Sequence, residues 1–277
     1  MFGGGASPGA AVTVKLSSAS QAEVVATAPA AADGSWIVRL PSLSPTRSAV
    51  LRATDGRDVA AIEDVAVGDV LLCGGQSNMG FGMCAARSKN QTVQQALDSV
   101  SGSRIRFMFY SSTVGSGPGG GTALGLCKTS TGLNSTTPGR QWFTAAASNA
   151  GGASANCLLT AQYLAEALGP SVPVGAIESC EGGTNVAPWT PPSGGLYRDL
   201  ILPLTNFSFK AALWDQGEND GEFSISCNGQ TLRHSTYIIQ NCTKRFFMSR
   251  VLTSCLLLQF VATPQPRIPP GTPTSFH

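Results

Sequence analysis

The chain has 277 residues, of which 42% are hydrophobic and only 12% are charged, and its formal net charge is +2. A chain of this length can bury a core large enough for one large domain or two moderate ones. The small net charge, without a basic run interleaved with aromatic residues, argues against nucleic acid or an anionic membrane surface as a partner. The apolar run at 251–262 is about a dozen residues long, too short to cross a bilayer, so we predict no membrane span.

The first 68 residues are predicted to form a small, jelly-roll-like β-sandwich domain. Apolar and polar residues alternate in short runs at 11–16, 35–40 and 49–54, and Asp-Gly dipeptides adjoin the last two runs. A period of two is typical of half-buried strands, and Asp-Gly dipeptides beside such runs indicate tight turns between antiparallel neighbours.

The pattern changes at residue 69, where we predict an α/β domain that extends to residue 250. Continuous apolar runs indicate strands buried on both faces, and they alternate with segments of helical spacing. We predict strands at 70–74, 105–110, 172–178 and 211–214, and helices at 91–100 and 155–168. Strands that alternate with helices imply a parallel sheet, in which ligand sites gather at the carboxyl ends of the strands.

The last segment, 251–277, does not continue this alternation. Five prolines lie between residues 264 and 273, and prolines at that density exclude a helix or a central strand. We predict an atypical Pro-rich tail without regular structure.

Ser77 is the first candidate for chemistry, because it lies in a Gly-Gly-Gln-Ser-Asn-Met segment directly after a predicted buried strand. A serine at that point is placed for exposure at the edge of the sheet. The residues alone leave a second interpretation open, in which Ser77 or Asn78 caps the following helix.

Gly182 and Gly183 follow the strand predicted at 172–178. Consecutive glycines let backbone N–H groups approach a ligand closely, as an oxyanion hole requires. An ordinary turn has the same pattern, so this interpretation also stays open.

The third segment follows the strand predicted at 211–214. Either Gln216 or Asn219 could donate a side-chain N–H to a developing oxyanion. Glu218 and Asp220 suggest a metal or glycosidase site instead, but no further carboxylate or histidine cluster accompanies them in the sequence. We therefore predict no metal.

Three motifs in this order and spacing resemble the sialate O-acetylesterases, which are SGNH-type serine hydrolases. They are CGGQSNM at 73–79, EGGTNVAPW at 181–189 and WDQGE at 214–218. The resemblance covers about residues 8 to 245. It implies a three-layer, parallel-sheet SGNH-hydrolase-like domain preceded by a small β-sandwich, and hydrolysis of O-acetyl esters of sialic acids.

The resemblance also implies roles for individual residues. Ser77 matches the nucleophile, and its backbone N–H would hold the oxyanion together with a backbone N–H of Gly182 or Gly183. A side chain from Gln216 or Asn219 would complete the hole. The family needs no metal or organic cofactor, and the expected partner is an O-acetylated sugar.

The family's downstream Asp-x-x-His pair has no counterpart in this sequence. The two histidines, His234 and His277, both lack an Asp-x-x-His context. A serine hydroxyl is a weak nucleophile unless a base takes its proton. We expect an impaired esterase whose α/β domain is incomplete at its C-terminal end, with His234 as a possible substitute base. The alternative is a non-catalytic paralogue or fragment that keeps a sugar-ester pocket.

The cysteines and the glycosylation sequons favour an oxidising compartment. None of the cysteines forms a metal-type C-x-x-C pair, so disulfides are expected. The family resemblance and the sequons predict a secreted or lysosomal protein, although the first residues show no leader segment. The cysteines are Cys73, Cys84, Cys127, Cys157, Cys180, Cys227, Cys242 and Cys255, and the sequons begin at Asn90, Asn134, Asn206 and Asn241.

Overall fold

The computed structural model describes residues 2–87, 91–100, 104–110 and 142–220, together with three short strands beyond them. The strands of these regions are β1 (Phe2–Gly5), β2 (Ala11–Ser18), β3 (Gln21–Pro29), β4 (Ser35–Val38), β5 (Thr46–Thr54), β6 (Val59–Val67), β7 (Asp69–Gly75), β8 (Ile105–Phe109), β9 (Trp142–Thr144), β10 (Val174–Cys180), β11 (Ala211–Asp215), β12 (Ser224–Cys227), β13 (Gln230–Arg233) and β14 (Leu256–Gln259). The α-helices are α1 (Met83–Arg87), α2 (Gln91–Asp98) and α3 (Ala155–Leu168). No helix of the described regions is long and apolar enough to cross a membrane.

The N-terminal part is built from antiparallel strands, as the alternating pattern predicts. A four-stranded sheet has the order β3-β2-β5-β6, and β1 pairs with β4 in a separate two-stranded ladder. Val38 of the ladder shares one buried cluster with Val14, Leu16 and Leu51 of the sheet. The structure adds β1, β3 and β6 to the three predicted strands. The jelly-roll-like sandwich stays a prediction.

The second part confirms the α/β fold. Its six-stranded sheet has the order β14-β11-β7-β10-β8-β9, in which β9 is antiparallel to β8 and the other neighbours are parallel. All four predicted strands and both predicted helices are present, within a few residues of the expected ends. The alternation of strand and helix therefore predicts the parallel pairing correctly.

Both faces of this sheet are buried, because successive side chains of a strand point to opposite faces. Leu71 and Cys73 of β7 lie in one apolar cluster with α2 and α3, whereas Leu72 lies in another. The second cluster is formed with the short helical turns between residues 187 and 204. Covering on both faces explains why the strands read as continuous apolar runs.

A disulfide ties the sheet to its main helix. Cys73 of β7 is bonded to Cys157 of α3, with a Cα–Cα distance of 5.9 Å. Cys84 is also disulfide-bonded, whereas Cys180 has a free thiol. Disulfides were expected from the cysteine pattern, and the structure supplies one pairing that the pattern could not.

The C-terminal segment differs in part from the prediction. Leu256–Gln259 forms β14 and pairs in parallel with β11, at the edge of the sheet. All five prolines of the segment come after this strand, so they do not interrupt it. The other residues of the tail, both histidines and the loop at 115–125 lie outside the described residues.

Candidate active site

The sheet order brings the three candidate segments to one edge. β7 lies between β10 and β11 and is parallel to both. Gly75, at the end of β7, is in register with Cys180 of β10 and with Asp215 of β11. The segments that contain Ser77, Gly182 and Gln216 therefore leave the sheet at the same level and on the same side.

The backbone is tightly packed where β7 ends. The N–H of Gln76 donates to the carbonyl oxygen of Asp215 at 2.9 Å, and the N–H of Glu181 donates to the carbonyl oxygen of Gly75 at 3.0 Å. Gly75 has φ +132, and a Cβ atom there would lie 1.9 Å from the Asp215 carbonyl oxygen. Only glycine fits this passage, which directs the chain from the buried strand to Ser77.

Ser77 is half-buried and lies in the turn between β7 and α1. A Cβ atom built on Gly182 would lie 3.6 Å from the Ser77 Cβ, so Gly182 is a close neighbour of the serine and a side chain in its place would touch Ser77. Because α1 begins only at Met83, neither Ser77 nor Asn78 occupies the N-cap position of that helix. No described group makes a hydrogen bond with the Ser77 hydroxyl.

The loop after β10 carries both candidate glycines on the surface. Gly182 and Gly183 are exposed, and Gly183 has φ +73. Side chains hold the loop: the Thr184 hydroxyl donates to the Glu181 carbonyl at 2.8 Å and accepts from Trp189 Nε1 at 3.0 Å. Burial raises the pKa of Glu181.

Asp220 links this loop to the segment after β11. Its Oδ1 accepts from the backbone N–H of Val186 at 2.9 Å, and its Oδ2 accepts from Gln216 Nε2 at 2.6 Å. Gln216 Nε2 also donates to the carbonyl oxygen of Thr184 at 3.2 Å. Both side chains are buried, whereas Asn219 is exposed. Sequence reasoning considered Asp220 only for a metal or glycosidase site and missed this anchoring contact, which joins residues far apart in the chain.

Glu178 is a buried carboxyl group that sequence reasoning also missed, because it lies inside the run predicted as a strand. Its Oε2 accepts from the backbone N–H of Ser154 at 2.9 Å, and Cys180 Sγ donates to its Oε1 at 3.4 Å. Burial raises the pKa of Glu178 to about 7, although both hydrogen bonds act in the opposite direction. Burial and the neighbouring Glu178 charge raise the pKa of the Cys180 thiol.

The described residues contain no group of three or more His, Cys, Asp or Glu side chains that could hold a metal ion. Asn219 and the buried pair Gln216 and Asp220 follow β11 at the same edge of the sheet. The structure brings the backbone of Gly182 to Ser77 and connects Gln216 to the same loop.

Comparison with known proteins identifies solved structures that match this chain. No protein-family model and no curated protein matches the chain. The fold is similar to the crystal structure of a carbohydrate acetylesterase from Xanthomonas citri, with a TM-score of 0.61 and 27% sequence identity over 79% of this chain. The chain spans 47% of the length of that structure. A protein from Arabidopsis thaliana also matches, with a TM-score of 0.35 and 12% identity over 72% of this chain and 88% of that one.

Proposed function

We propose that this chain is a carbohydrate esterase that hydrolyses O-acetyl esters of sialic acids, with Ser77 as its nucleophile. The observation that carries the proposal is the proximity of the exposed Gly182 to Ser77 at the carboxyl edge of a parallel sheet. The likeness to a carbohydrate acetylesterase supports the ester of a sugar as the substrate class. Sialic acid as the sugar rests on the motif resemblance alone.

The reaction would proceed in two balanced steps. A base takes the proton of the Ser77 hydroxyl while Oγ bonds to the acetyl carbonyl carbon, and the C–O bond to the sugar breaks as the sugar oxygen receives that proton. Water then attacks the acetyl-serine, giving its proton to the base. Acetate leaves and Ser77 recovers a proton, so no redox partner or cofactor is required.

The oxyanion would be held by backbone N–H groups of Ser77 and of Gly182 or Gly183, with one side chain. Asn219 is the better candidate for that side chain, because it is exposed and Gln216 uses its Nε2 on Thr184 and Asp220. Removal of one such donor typically costs about 10²–10³-fold in turnover.

The larger architecture belongs to the same proposal. An SGNH-type arrangement of three layers, after a small N-terminal sandwich, is consistent with a sheet covered on both faces. The disulfide between Cys73 and Cys157 is compatible with a secreted protein.

A non-catalytic sugar-ester binding protein is the second candidate. The observation that favours it is that the only two histidines, His234 and His277, are outside any Asp-x-x-His context. A serine triad without its histidine loses about 10⁶-fold in turnover. A substitute base, for which His234 is the first choice, would return the chain to the esterase class.

The proposal is tested with purified chain, 4-nitrophenyl acetate and an O-acetylated sialic acid. We expect acetate release above the uncatalysed rate on both substrates, and Ser77→Ala should abolish it while the thermal unfolding midpoint stays the same. Ser20→Ala, at an exposed serine between β2 and β3, is the control and should retain full turnover.

Turnover that survives Ser77→Ala would remove Ser77 from the mechanism. Binding of the acetylated sugar without any serine-dependent turnover would favour the binding protein. Release of acetate from other sugars but not from sialic acid would leave the carbohydrate esterase and reject the sialate specificity.

A further inference from the structure

The side chain of Gln216 presents an oxygen that no described part of the protein satisfies. Gln216 is 7% exposed, and its Oε1 is buried without a hydrogen-bond partner among the described residues. Its Nε2 faces the Thr184 carbonyl and the Asp220 carboxylate. Carbonyl and carboxylate oxygens only accept hydrogen bonds, so the amide group cannot exchange its nitrogen and oxygen without losing both contacts.

Gln216 lies at the edge that holds Ser77. It follows Asp215, whose carbonyl oxygen accepts from the N–H of Gln76, the residue before Ser77. On its other side it contacts Thr184, which is two residues from Gly182. The amide therefore lies between the loops that bound the candidate site, and a ligand would reach its buried Oε1 only by displacing a neighbouring group.

We infer that Gln216 Oε1 accepts a hydrogen bond from a hydroxyl group of the bound sugar, and that Gln216 orients the substrate rather than holding the oxyanion. An oxyanion requires donors, and the two N–H bonds of this amide are already used. Sugar hydroxyl groups are donors and match a fixed, buried acceptor. The identity of the ligand rests on the proposed function.

A buried acceptor of this kind determines which substrates the site prefers. A site built to pair with a ligand hydroxyl discriminates against a ligand that lacks it, because the buried acceptor is then left unpaired. An oxyanion donor acts on every acetyl ester, whereas a hydroxyl acceptor acts only on esters whose alcohol part carries hydroxyl groups. The two roles can thus be separated by the choice of substrate.

The test uses Gln216→Met, which preserves side-chain length but removes both polar atoms. The substrates are 4-nitrophenyl acetate, which has no hydroxyl group, and a mono-O-acetylated sialic acid. We expect kcat/KM for the sugar ester to fall about three- to tenfold more than kcat/KM for the nitrophenyl ester. This additional factor corresponds to the loss of one neutral hydrogen bond. Asn219→Ala should reduce turnover of both substrates by the same factor.

Gln162→Met is the matched control. Gln162 of α3 also has a buried Oε1 without a described partner, and its Nε2 donates to the Ala96 carbonyl at 2.8 Å, away from the edge. This variant should leave the ratio of the two kcat/KM values unchanged. The same change in ratio with Gln162→Met would show that the effect is not specific to the edge.

A binding measurement separates the inference from the proposed function. An NMR titration of the Ser77→Ala form with the acetylated sugar reports Kd without turnover, and Gln216→Met should raise that Kd by the same three- to tenfold factor, about one hydrogen bond. An unchanged Kd, a sugar that does not bind, or equal losses on both substrates would overturn the inference. A raised Kd in a chain without serine-dependent turnover would overturn only the proposed catalysis.

Discussion

The carboxyl group of Glu178 has a raised pKa because it is buried. It is 3% exposed at the end of β10 and has a backbone N–H and a thiol as its partners, neither of which carries a positive charge. Burial disfavours the charged form of a carboxyl group, and two uncharged donors compensate for only part of that effect. The carboxyl therefore titrates near neutrality in the folded chain.

This shift predicts a loss of stability as the pH rises. The folded pKa is about 7 and the usual value is 4.5, so between them the folded chain binds more protons than the unfolded chain. The free energy of unfolding should decline across this range by up to about 3 kcal/mol, and Glu178→Gln should remove the decline. Urea unfolding at pH 5 and at pH 8 measures both values.

Glu166→Gln is the control, because Glu166 is exposed on α3. It should leave the decline in place. If Glu178→Gln also loses stability between pH 5 and pH 8, another group must be responsible.

The end of β7 is the element whose geometry matters most to the site. A Cβ atom built on Gly74 would lie 2.6 Å from the Trp214 ring, and one built on Gly75 would lie 1.9 Å from the Asp215 carbonyl oxygen. Two neighbouring glycines thus let β7 and β11 converge just before Ser77. This close approach places the segments that follow β7 and β11 side by side. No side chain fits at either glycine position.

Gly75→Ala should therefore destabilise the chain by about 2–5 kcal/mol, since it combines backbone strain with overpacking. Gly169→Ala is the control, because Gly169 also has positive φ, +78, but no neighbour within 4 Å. It should cost only the strain of this backbone conformation, about 1–3 kcal/mol, without the overpacking. Chemical denaturation of both variants measures the difference, and equal losses would contradict the packing argument.

In the whole molecule, Arg106 joins the N-terminal sheet to the α/β sheet. From β8 it makes an ion pair with Asp64 Oδ1 at 2.8 Å, and it donates to the backbone carbonyls of Asp64 and of Arg47, the latter at 3.3 Å. Arg47 in turn donates to the Pro170 carbonyl at 2.6 Å. Asp64 is held at φ +55, a conformation that presents its carbonyl and its carboxylate to one guanidinium.

Arg106→Met should lower the free energy of unfolding by about 1–3 kcal/mol, because several bonds to a partly buried guanidinium are lost together. Arg198→Met removes an exposed ion pair with Asp199 and should cost less than about 1 kcal/mol. Thermal or urea unfolding measures the loss of unfolding free energy in Arg106→Met and in Arg198→Met. Equal effects would mean that the Arg106 contacts add nothing beyond an ordinary surface pair.

Local patterns were enough to predict four strands and two helices of the α/β part, three strands of the N-terminal part, and the candidate segments. The helix at 155–168 was predicted with both ends correct, because its end signals are local: Ser154 caps it by accepting from the Cys157 N–H, and Gly169 ends it with positive φ. Ser77 and the two glycines were selected as candidates in the same way, since each follows an apolar strand, and their roles stay predictions. Parallel pairing followed from the alternation of strand and helix.

Contacts between distant residues could not be predicted from those patterns. Eight cysteines allow 105 pairings, and the bond between Cys73 and Cys157 depends on the packing of α3 on β7. The anchoring role of Asp220 and the occupied amide of Gln216 depend on a loop some thirty residues away. A short apolar run such as Leu256–Gln259 is a strand only because β11 offers it a free edge. Propensity and periodicity act over a few residues, whereas a hydrogen bond or a disulfide between distant segments exists only once the chain has folded.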